Sequence, residues 1–244
     1  MNKLKLIAAE DAADLARRAA EYFAERARDA ADRFVVALSG GSTPRRFHGH
    51  LAAHMADTVP WSKVHLLLSD ERALPPTDDN SNFSMVQQTL VAPLSLPEAQ
   101  VHRPLSESED LANAATGYER DLLKLTTPPG AVDLVVLGMG DDGHTASLFP
   151  GQPEPDGLIA AARATAGTVA DGRITFTFQA LEKAHMVMIL VSGAKKAERL
   201  REVLNEQGDL PMQRVLRSRK GTTVLIADRD ALARIEATQI EALS

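Results

Sequence analysis

Short apolar runs alternate along this chain with longer segments in which apolar residues recur every three or four positions. The first pattern is typical of buried strands and the second of amphipathic helices. The apolar runs, together with one alternating segment, predict strands at residues 34–38, 64–68, 134–137, 173–178, 186–191 and 222–227. The predicted helices span residues 11–32, 44–56, 82–91, 106–125 and 194–204, and the tail after the last strand is also predicted to be helical.

The alternation of strands and helices predicts an α/β protein with a mostly parallel sheet flanked by helices. No internal repeat, low-complexity tract or long linker interrupts this order, so we expect a single domain over residues 1–244. The fourth predicted helix is expected to begin at Ser106 and Glu109, which have the spacing of a capping box.

The composition excludes several classes of protein. A net charge of −6 argues against non-specific nucleic-acid binding, which requires a basic surface. The chain has no cysteine, and therefore no disulfide, thiolate metal site or thiol nucleophile. Residues 1–23 lack the apolar core of a secretory signal, and no run reaches the length of a membrane span. We therefore expect a cytoplasmic protein without membrane contact.

Three predicted strands end in segments that could bind a ligand. They are SGGSTP at residues 39–44, Asp70-Glu71-Arg72, and the segment GMGDDGH at residues 138–144. Because ligands in open α/β sheets bind beyond the carboxyl ends of the strands, these segments are candidate parts of one site.

The first segment has the features of an anion-binding loop. Gly40 and Gly41 allow backbone N–H groups to approach a ligand, and Ser42 or Thr43 can donate to an anion at the start of the next helix. An ordinary turn with an N-cap would have the same sequence. The segment is not a Walker loop, because no Gly-Lys-Ser/Thr follows it.

The other two segments carry side chains suited to catalysis. Asp70 and Arg72 could face a polyhydroxylated or phosphorylated ligand, although charged triplets are also common in solvated loops. His144 follows three loop glycines, and its imidazole is suited to general base catalysis near neutral pH. Asp141 and Asp142 could orient this ring or could equally cap a short helix, and His144 could simply hold the loop backbone.

Arg173 and Lys195 are further candidates for binding an anion, although each could be a surface charge. Lys195 begins a helix directly after a strand, and the adjacent Lys196 is an alternative. His50 and His54 share one helix face and could bind zinc, but no third ligand is evident and no metal site is predicted.

Two common motifs are matched poorly. The segment at residues 138–143 fits G-x-G-x-x-G, but Pro150 and Gly151 stop any following helix, and no acidic residue stands at the end of a next strand. A dinucleotide site is therefore not favoured. A serine hydrolase site is not favoured either, since there is no G-x-S-x-G segment.

Taken together, the motifs resemble the 6-phosphogluconolactonase family, and the resemblance covers nearly the whole chain. The matching segments are SGGSTP at 39–44, SDER at 69–72, SNFSMV at 81–86, LGMGDDGHTASLFPG at 137–151, RITFTF at 173–178 and VSGAKKAE at 191–198. The resemblance implies a Rossmann-like α/β fold and hydrolysis of 6-phospho-D-glucono-1,5-lactone without a cofactor. Its partner would be this small sugar-phosphate lactone, and we expect a monomer.

The resemblance also implies residue roles. His144 would activate water, Arg72 would stabilise the oxyanion or orient the substrate, and Asp70 would bind sugar hydroxyls or tune the site. The phosphate would be held by the SGGST backbone at Gly40, Gly41, Ser42 and Thr43, with Lys195 and Arg173.

Two other functions stay open on the sequence. Glucosamine-6-phosphate deaminases have a similar phosphate loop and Asp-Gly-His motif, but use a glutamate where this chain has Phe149, which cannot act as an acid or base. A sugar-phosphate sensor would use the same kind of domain without turnover, but would need an output module or a partner.

Overall fold

A computed structural model of the chain describes residues 4–164, 169–205 and 207–243, which form two β-sheets. The larger sheet has six parallel strands in the order β1-β9-β8-β5-β2-β3, and the smaller has three antiparallel strands in the order β4-β7-β6. The strands are β1 Leu4–Ala9, β2 Phe34–Leu38, β3 Val64–Leu68, β4 Asp70–Arg72, β5 Leu134–Gly138, β6 Ile159–Arg163, β7 Gly172–Phe176, β8 Met186–Val191 and β9 Thr222–Asp228. The predicted α/β class with a mostly parallel sheet is confirmed.

Helices cover both faces of the large sheet. They are α1 Ala12–Asp29, α2 Ser42–His54, α3 Asn82–Val86, α4 Ala92–Leu94, α5 Leu111–Leu125, α6 Phe178–Lys183, α7 Ala197–Leu204, α8 Pro211–Ser218 and α9 Ala237–Leu243. Apart from β1, the strands of the large sheet are almost wholly buried, and two apolar clusters, one on each face, hold the layers together. None of the helices in the described ranges is long and apolar enough to cross a bilayer.

Several predicted bounds were wrong, for identifiable reasons. The fourth predicted helix does not begin at Ser106, because the side chain of Asp110 caps it by accepting from the N–H of Asn113. The predicted helix at residues 82–91 changes from α to π hydrogen bonding at Gln87–Val91. The predicted strand at residues 173–178 ends at Phe176, where Thr177 caps α6.

The order of the large sheet fixes the place of a ligand site. From β2 the chain moves outward to β3 on one side, and from β5 it moves outward to β8 and β9 on the other. The carboxyl ends of β2 and β5 therefore flank a topological switch point, where open α/β sheets bind ligands. Ser39 and Ser69 join the strand ends here, since the Ser39 hydroxyl bonds Ser69 Oγ at 2.8 Å and donates to the Val136 carbonyl at 2.7 Å.

The buried side chain of Arg219 links the end of α6 to the starts of β8 and β9 through hydrogen bonds. Arg219 follows α8 and is 1% exposed. Its guanidinium donates to backbone carbonyls and to the Thr223 hydroxyl, and the carbonyl acceptors are those of Leu181, Ala184, His185 and Thr222. Burial lowers the pKa of Arg219 to about 10, so the side chain remains charged at neutral pH.

His48 on α2 makes the fold sensitive to acid. It is fully buried, neither ring nitrogen has a hydrogen-bond partner among the described residues, and burial together with Arg45 lowers its pKa to about 3. The unfolded chain takes up a proton near pH 6.5 and the folded chain near pH 3, so folding stability is lost as the pH falls through this window. We expect the unfolding free energy of the wild type to fall by about 2 kcal/mol more between pH 6 and pH 4 than that of His48→Leu.

Urea denaturation across this pH range measures the difference. The control is His54→Leu, at an exposed position on the same helix, which should keep the wild-type slope. Equal acid slopes for the wild type and His48→Leu would contradict the prediction.

Candidate active site

A cleft of about 320 Å³ lies at the switch point, beyond the carboxyl ends of β2, β3, β5 and β8. It contains seven of the nine candidate residues from the sequence, namely Gly40, Gly41, Ser42, Thr43, Asp70, Arg72 and His144. Asn82, Asp141, Ala146, Ser192 and Lys196 also line it. Arg173 and Lys195 are not among the lining residues.

The SGGST loop presents the N-terminus of α2 to the cleft. Gly41 is the N-cap and has φ +103°, a conformation that glycine adopts readily, and no side chain caps the helix. The free N–H groups of this first turn therefore remain available to an anion, and the helix dipole favours negative charge there. Gly40 has no room for a side chain, because a Cβ would lie 1.9 Å from Oδ1 of Asn82.

β4 directs Asp70 and Arg72 to the cleft and Glu71 away from it. Residues two apart on a strand share a face, so the middle residue of this triplet points into the protein. Glu71 is 1% exposed, and its carboxylate accepts from the N–H groups of Asn82 and Phe83 at the start of α3 and from the Ser81 hydroxyl. Burial raises the pKa of Glu71, and these hydrogen bonds oppose the change.

Asp70 is held between two neighbouring segments. Its Oδ2 accepts from the Ser147 hydroxyl at 2.7 Å, and Nδ2 of Asn82 donates to its backbone carbonyl at 2.9 Å. Arg72 is fixed more loosely, through a hydrogen bond from its guanidinium to the Asn80 carbonyl. The cleft thus has a rigid carboxylate beside a partly exposed guanidinium.

His144 lies across the cleft on the turn after β5. Its Nδ1 is 2.6 Å from Oδ1 of Asp142, which also accepts the backbone N–H of His144 at 3.0 Å. Partial burial raises the pKa of Asp142, but these contacts with His144 outweigh it and the net pKa is lowered. The other support is Phe149, whose ring centroid is 4.9 Å from that of the imidazole. No helix follows His144, because an antiparallel bridge between Thr145 and Leu148 closes a tight turn at residues 146–147.

Lys196, rather than Lys195, extends into the cleft. Lys195 is exposed, whereas Lys196 lines the cleft and its Nζ is 2.5 Å from Oδ1 of Asp141. The hydrogen bond from Lys196 lowers the pKa of Asp141. Both lysines belong to a single 3-10 turn at Ala194–Lys196, and the sequence did not determine which of them points inward.

Arg173 lies beside the cleft but is buried. It is 6% exposed on β7, opposite Arg72, and its guanidinium donates to the Gly172 carbonyl. Burial lowers the pKa of Arg173, and the nearby Asp70 carboxylate opposes that change. As the register partner of Arg72, Arg173 lies on the same face of the small sheet as Arg72 and Asp70, although it is not among the residues that line the cleft.

Sequence reasoning missed three residues that support the site. Asn82 and Ser147 hold Asp70, and Asp228 at the end of β9 accepts from Ser192 and Gly193. Asn82 and Ser147 fall within motifs of the family resemblance, but their partners are distant in sequence and only the fold reveals them. Asp228 lies just past the last predicted strand, a position that could have identified it.

The structure also bears on two possibilities that the sequence did not favour, a dinucleotide site and a zinc site. No helix begins at Gly138, Gly140 or Gly143, which is unlike a dinucleotide-binding turn. The ring centroids of His50 and His54 are 4.5 Å apart, but within the described ranges no group of three or more His, Asp or Glu side chains could hold a metal ion.

Fold and cleft together define a Rossmann-like α/β protein with a polar cleft at the sheet switch point. Residues 10–225 match the family of glucosamine-6-phosphate isomerases and 6-phosphogluconolactonase, and the chain belongs to this family.

Individual relatives have lactonase names. A 6-phosphogluconolactonase from Haemophilus influenzae is 34% identical over 200 residues, covering 81% of this chain and 85% of the relative. One from Rhizobium meliloti is 35% identical over 193 residues, covering 75% and 79%.

Solved structures share the fold. The crystal structure of 6-phosphogluconolactonase from Thermotoga maritima superposes with a TM-score of 0.82 at 30% identity, covering 93% of this chain and 100% of that one. A monomeric glucosamine-6-phosphate deaminase superposes with a TM-score of 0.84 at 22% identity, covering 94% and 99%, which is a likeness of fold alone. The resemblance found from the sequence motifs is confirmed at the level of the family.

Proposed function

We propose that this protein is a lactone hydrolase that converts 6-phospho-D-glucono-1,5-lactone to 6-phospho-D-gluconate. The observation that carries the proposal is the cleft itself, in which an oriented imidazole faces a guanidinium and an uncapped helix N-terminus within about 320 Å³. Lactone hydrolysis needs a base for water, a positive partner for an oxyanion and a phosphate site, and the cleft has a candidate for each.

In the proposed reaction His144 is the general base. The Asp142 carboxylate accepts the Nδ1 proton of His144, which leaves the Nε2 lone pair free to take a proton from water. The water oxygen bonds to C1 of the lactone, and the carbonyl oxygen becomes an oxyanion that Arg72 stabilises. Collapse of this intermediate breaks the bond from C1 to the ring oxygen, which takes the proton from His144 as it leaves.

The phosphate group is proposed to bind at the SGGST end of the cleft. The backbone N–H groups at the start of α2 and the Ser42 and Thr43 hydroxyls donate to its oxygens, and Lys196 supplies a charge. This assignment replaces Lys195 with its neighbour. Arg173 is proposed to act indirectly, as a buried positive charge beside Asp70 and Arg72.

Asp141 competes with the phosphate for Lys196 in this scheme. Replacing it by asparagine removes the ion pair, so we expect the KM for the phospholactone to fall by about two- to fivefold, with kcat unchanged. Initial rates at low and high salt measure the effect, which should shrink as salt screens the charges. Asp209→Asn, at an exposed acid outside the cleft lining, is the control and should leave the KM unchanged. A higher KM in Asp141→Asn would contradict the prediction.

The proposed reaction is tested by phospholactone hydrolysis at neutral pH against the spontaneous rate, with glucosamine 6-phosphate deamination measured in parallel. Turnover far above background on the lactone alone supports the proposal. Release of ammonia instead would make the protein a deaminase despite Phe149, which packs on His144 where that chemistry uses a glutamate. Tight binding of a sugar phosphate without turnover would indicate a sensor. A monomeric, single-domain, cytoplasmic protein that needs no cofactor remains our prediction.

A further inference from the structure

Asp228 is a buried carboxylate that lies outside the cleft lining but holds one of its segments. It ends β9 and is 3% exposed. Its oxygens accept hydrogen bonds from the Ser192 hydroxyl at 2.5 Å and from the Gly193 N–H at 3.0 Å. They also accept from the N–H of Ala231, three residues further along the chain, at 2.9 Å. The carboxylate therefore joins the end of β9 to the turn that follows β8.

That turn sets the place of Lys196. Gly193 has φ +94°, and its carbonyl accepts from the Lys196 N–H at 3.0 Å, which closes the 3-10 turn carrying the lysine. The hydrogen bonds that Ser192 and Gly193 donate to Asp228 hold Gly193 in this positive-φ conformation, from which the 3-10 turn begins. Ser192 and Lys196, on either side of Gly193, both line the cleft.

We propose that Asp228 is a positioning residue for the phosphate of the substrate, acting through the Ser192-Gly193 turn on Lys196. The inference rests on the proposed function, because it takes Lys196 as a phosphate ligand. It goes further because it proposes that the position of Lys196 is set by Asp228, a residue of β9, and β9 supplies none of the cleft lining.

Charge and position predict opposite effects at Asp228. A negative charge near the phosphate end repels an anion, so neutralising Asp228 by charge alone would strengthen phosphate binding. Loss of the hydrogen bonds releases the turn, so positioning predicts weaker binding. The direction of change in a neutral, nearly isosteric variant therefore decides between the two.

The test is Asp228→Asn in the full-length protein, with two readouts. We expect the KM for the phospholactone and the inhibition constant of inorganic phosphate both to rise about tenfold, with kcat changed less than twofold. Asp230→Asn is the matched control, because it removes the same charge at an exposed position two residues away and should leave both constants unchanged. In a Lys196→Met background, Asp228→Asn should have no further effect on either constant, because the residue that it positions is gone.

Gly193→Ala is a second variant that perturbs the same turn without changing Asp228, so the test does not depend on Asp228→Asn folding correctly. A Cβ there has open space but forces a strained angle on the same turn, so we expect the same rise in both constants. The proposal is overturned if Asp228→Asn lowers or leaves unchanged the phosphate constant in a folded protein, or if the effect persists fully without Lys196. If the wild type does not hydrolyse the lactone, calorimetric titration with inorganic phosphate still measures the effect of Asp228, so failure of the proposed reaction is distinguishable.

Discussion

Replacing His144 with alanine lowers kcat for the phospholactone by a factor of about 10²–10⁴, the usual contribution of a positioned general base. The KM changes little, because the phosphate contacts at the other end of the cleft are untouched. The physical reason is that water attacks a lactone slowly unless its proton is accepted as the new bond forms. The measurement is the initial rate of acid release, corrected for spontaneous hydrolysis, with a circular dichroism spectrum to confirm folding.

His54→Ala is the matched control, since it removes an exposed histidine outside the cleft lining and should retain full activity. If His144→Ala keeps wild-type turnover, the protein remains a lactonase but His144 is not its base. A loss of affinity with kcat retained would place His144 among the binding residues instead.

Replacing Arg219 with methionine lowers the free energy of unfolding by about 3–5 kcal/mol, because several buried acceptors lose their donor at about 1–3 kcal/mol each. Methionine fills much of the same space but leaves four backbone carbonyls without the donors that Arg219 supplies. These carbonyls lie around the end of α6 and the start of β9, so the packing of α6 and α8 onto the sheet is weakened with them.

Urea denaturation with a constant m-value measures this change. Arg217→Met is the control, because that side chain is 43% exposed and its ion pair with Asp209 is a surface contact, for which about 1 kcal/mol or less is expected. Arg219→Lys should lie in between, since an ammonium has three donors. A loss below 1 kcal/mol in Arg219→Met would show that the carbonyls find other partners.

The sequence predicted the central strands well because each is a continuous apolar run, and burial on both faces leaves no other pattern for a parallel strand. It missed the edge strands β1, β4 and β6. β1 carries Lys5 among its apolar residues, and β6 is largely alanine, which has low strand propensity. β4 consists of three charged residues and became a strand only because β7 pairs with it and the buried Glu71 finds donors on α3.

The cleft was predictable to the level of its loops. Parallel strands bring their carboxyl ends to one edge, so glycines and polar residues after β2, β3 and β5 were expected to meet. Which of Lys195 and Lys196 points into the cleft depends on the rotation of the 3-10 turn that carries them. The direction of the Arg173 side chain depends on the antiparallel register of β7 with β4. Neither has a signal in the local sequence. Asp228 and Asn82 act through partners more than ten positions away, which local patterns do not reveal.

The hydrogen bond between Ser39 and Ser69 at the strand ends has a consequence for the evolution of such a protein. These hydrogen bonds fasten β2, β3 and β5 to one another just below the cleft, so each loop above them starts from a fixed base. A substitution in one loop therefore leaves the strand ends in place, so the segment that carries His144 can be altered while the SGGST loop keeps its base. A lineage with this arrangement can acquire a new reaction on the same class of substrate by small steps. The inclusion of isomerases and lactonases in one family is what that freedom would produce.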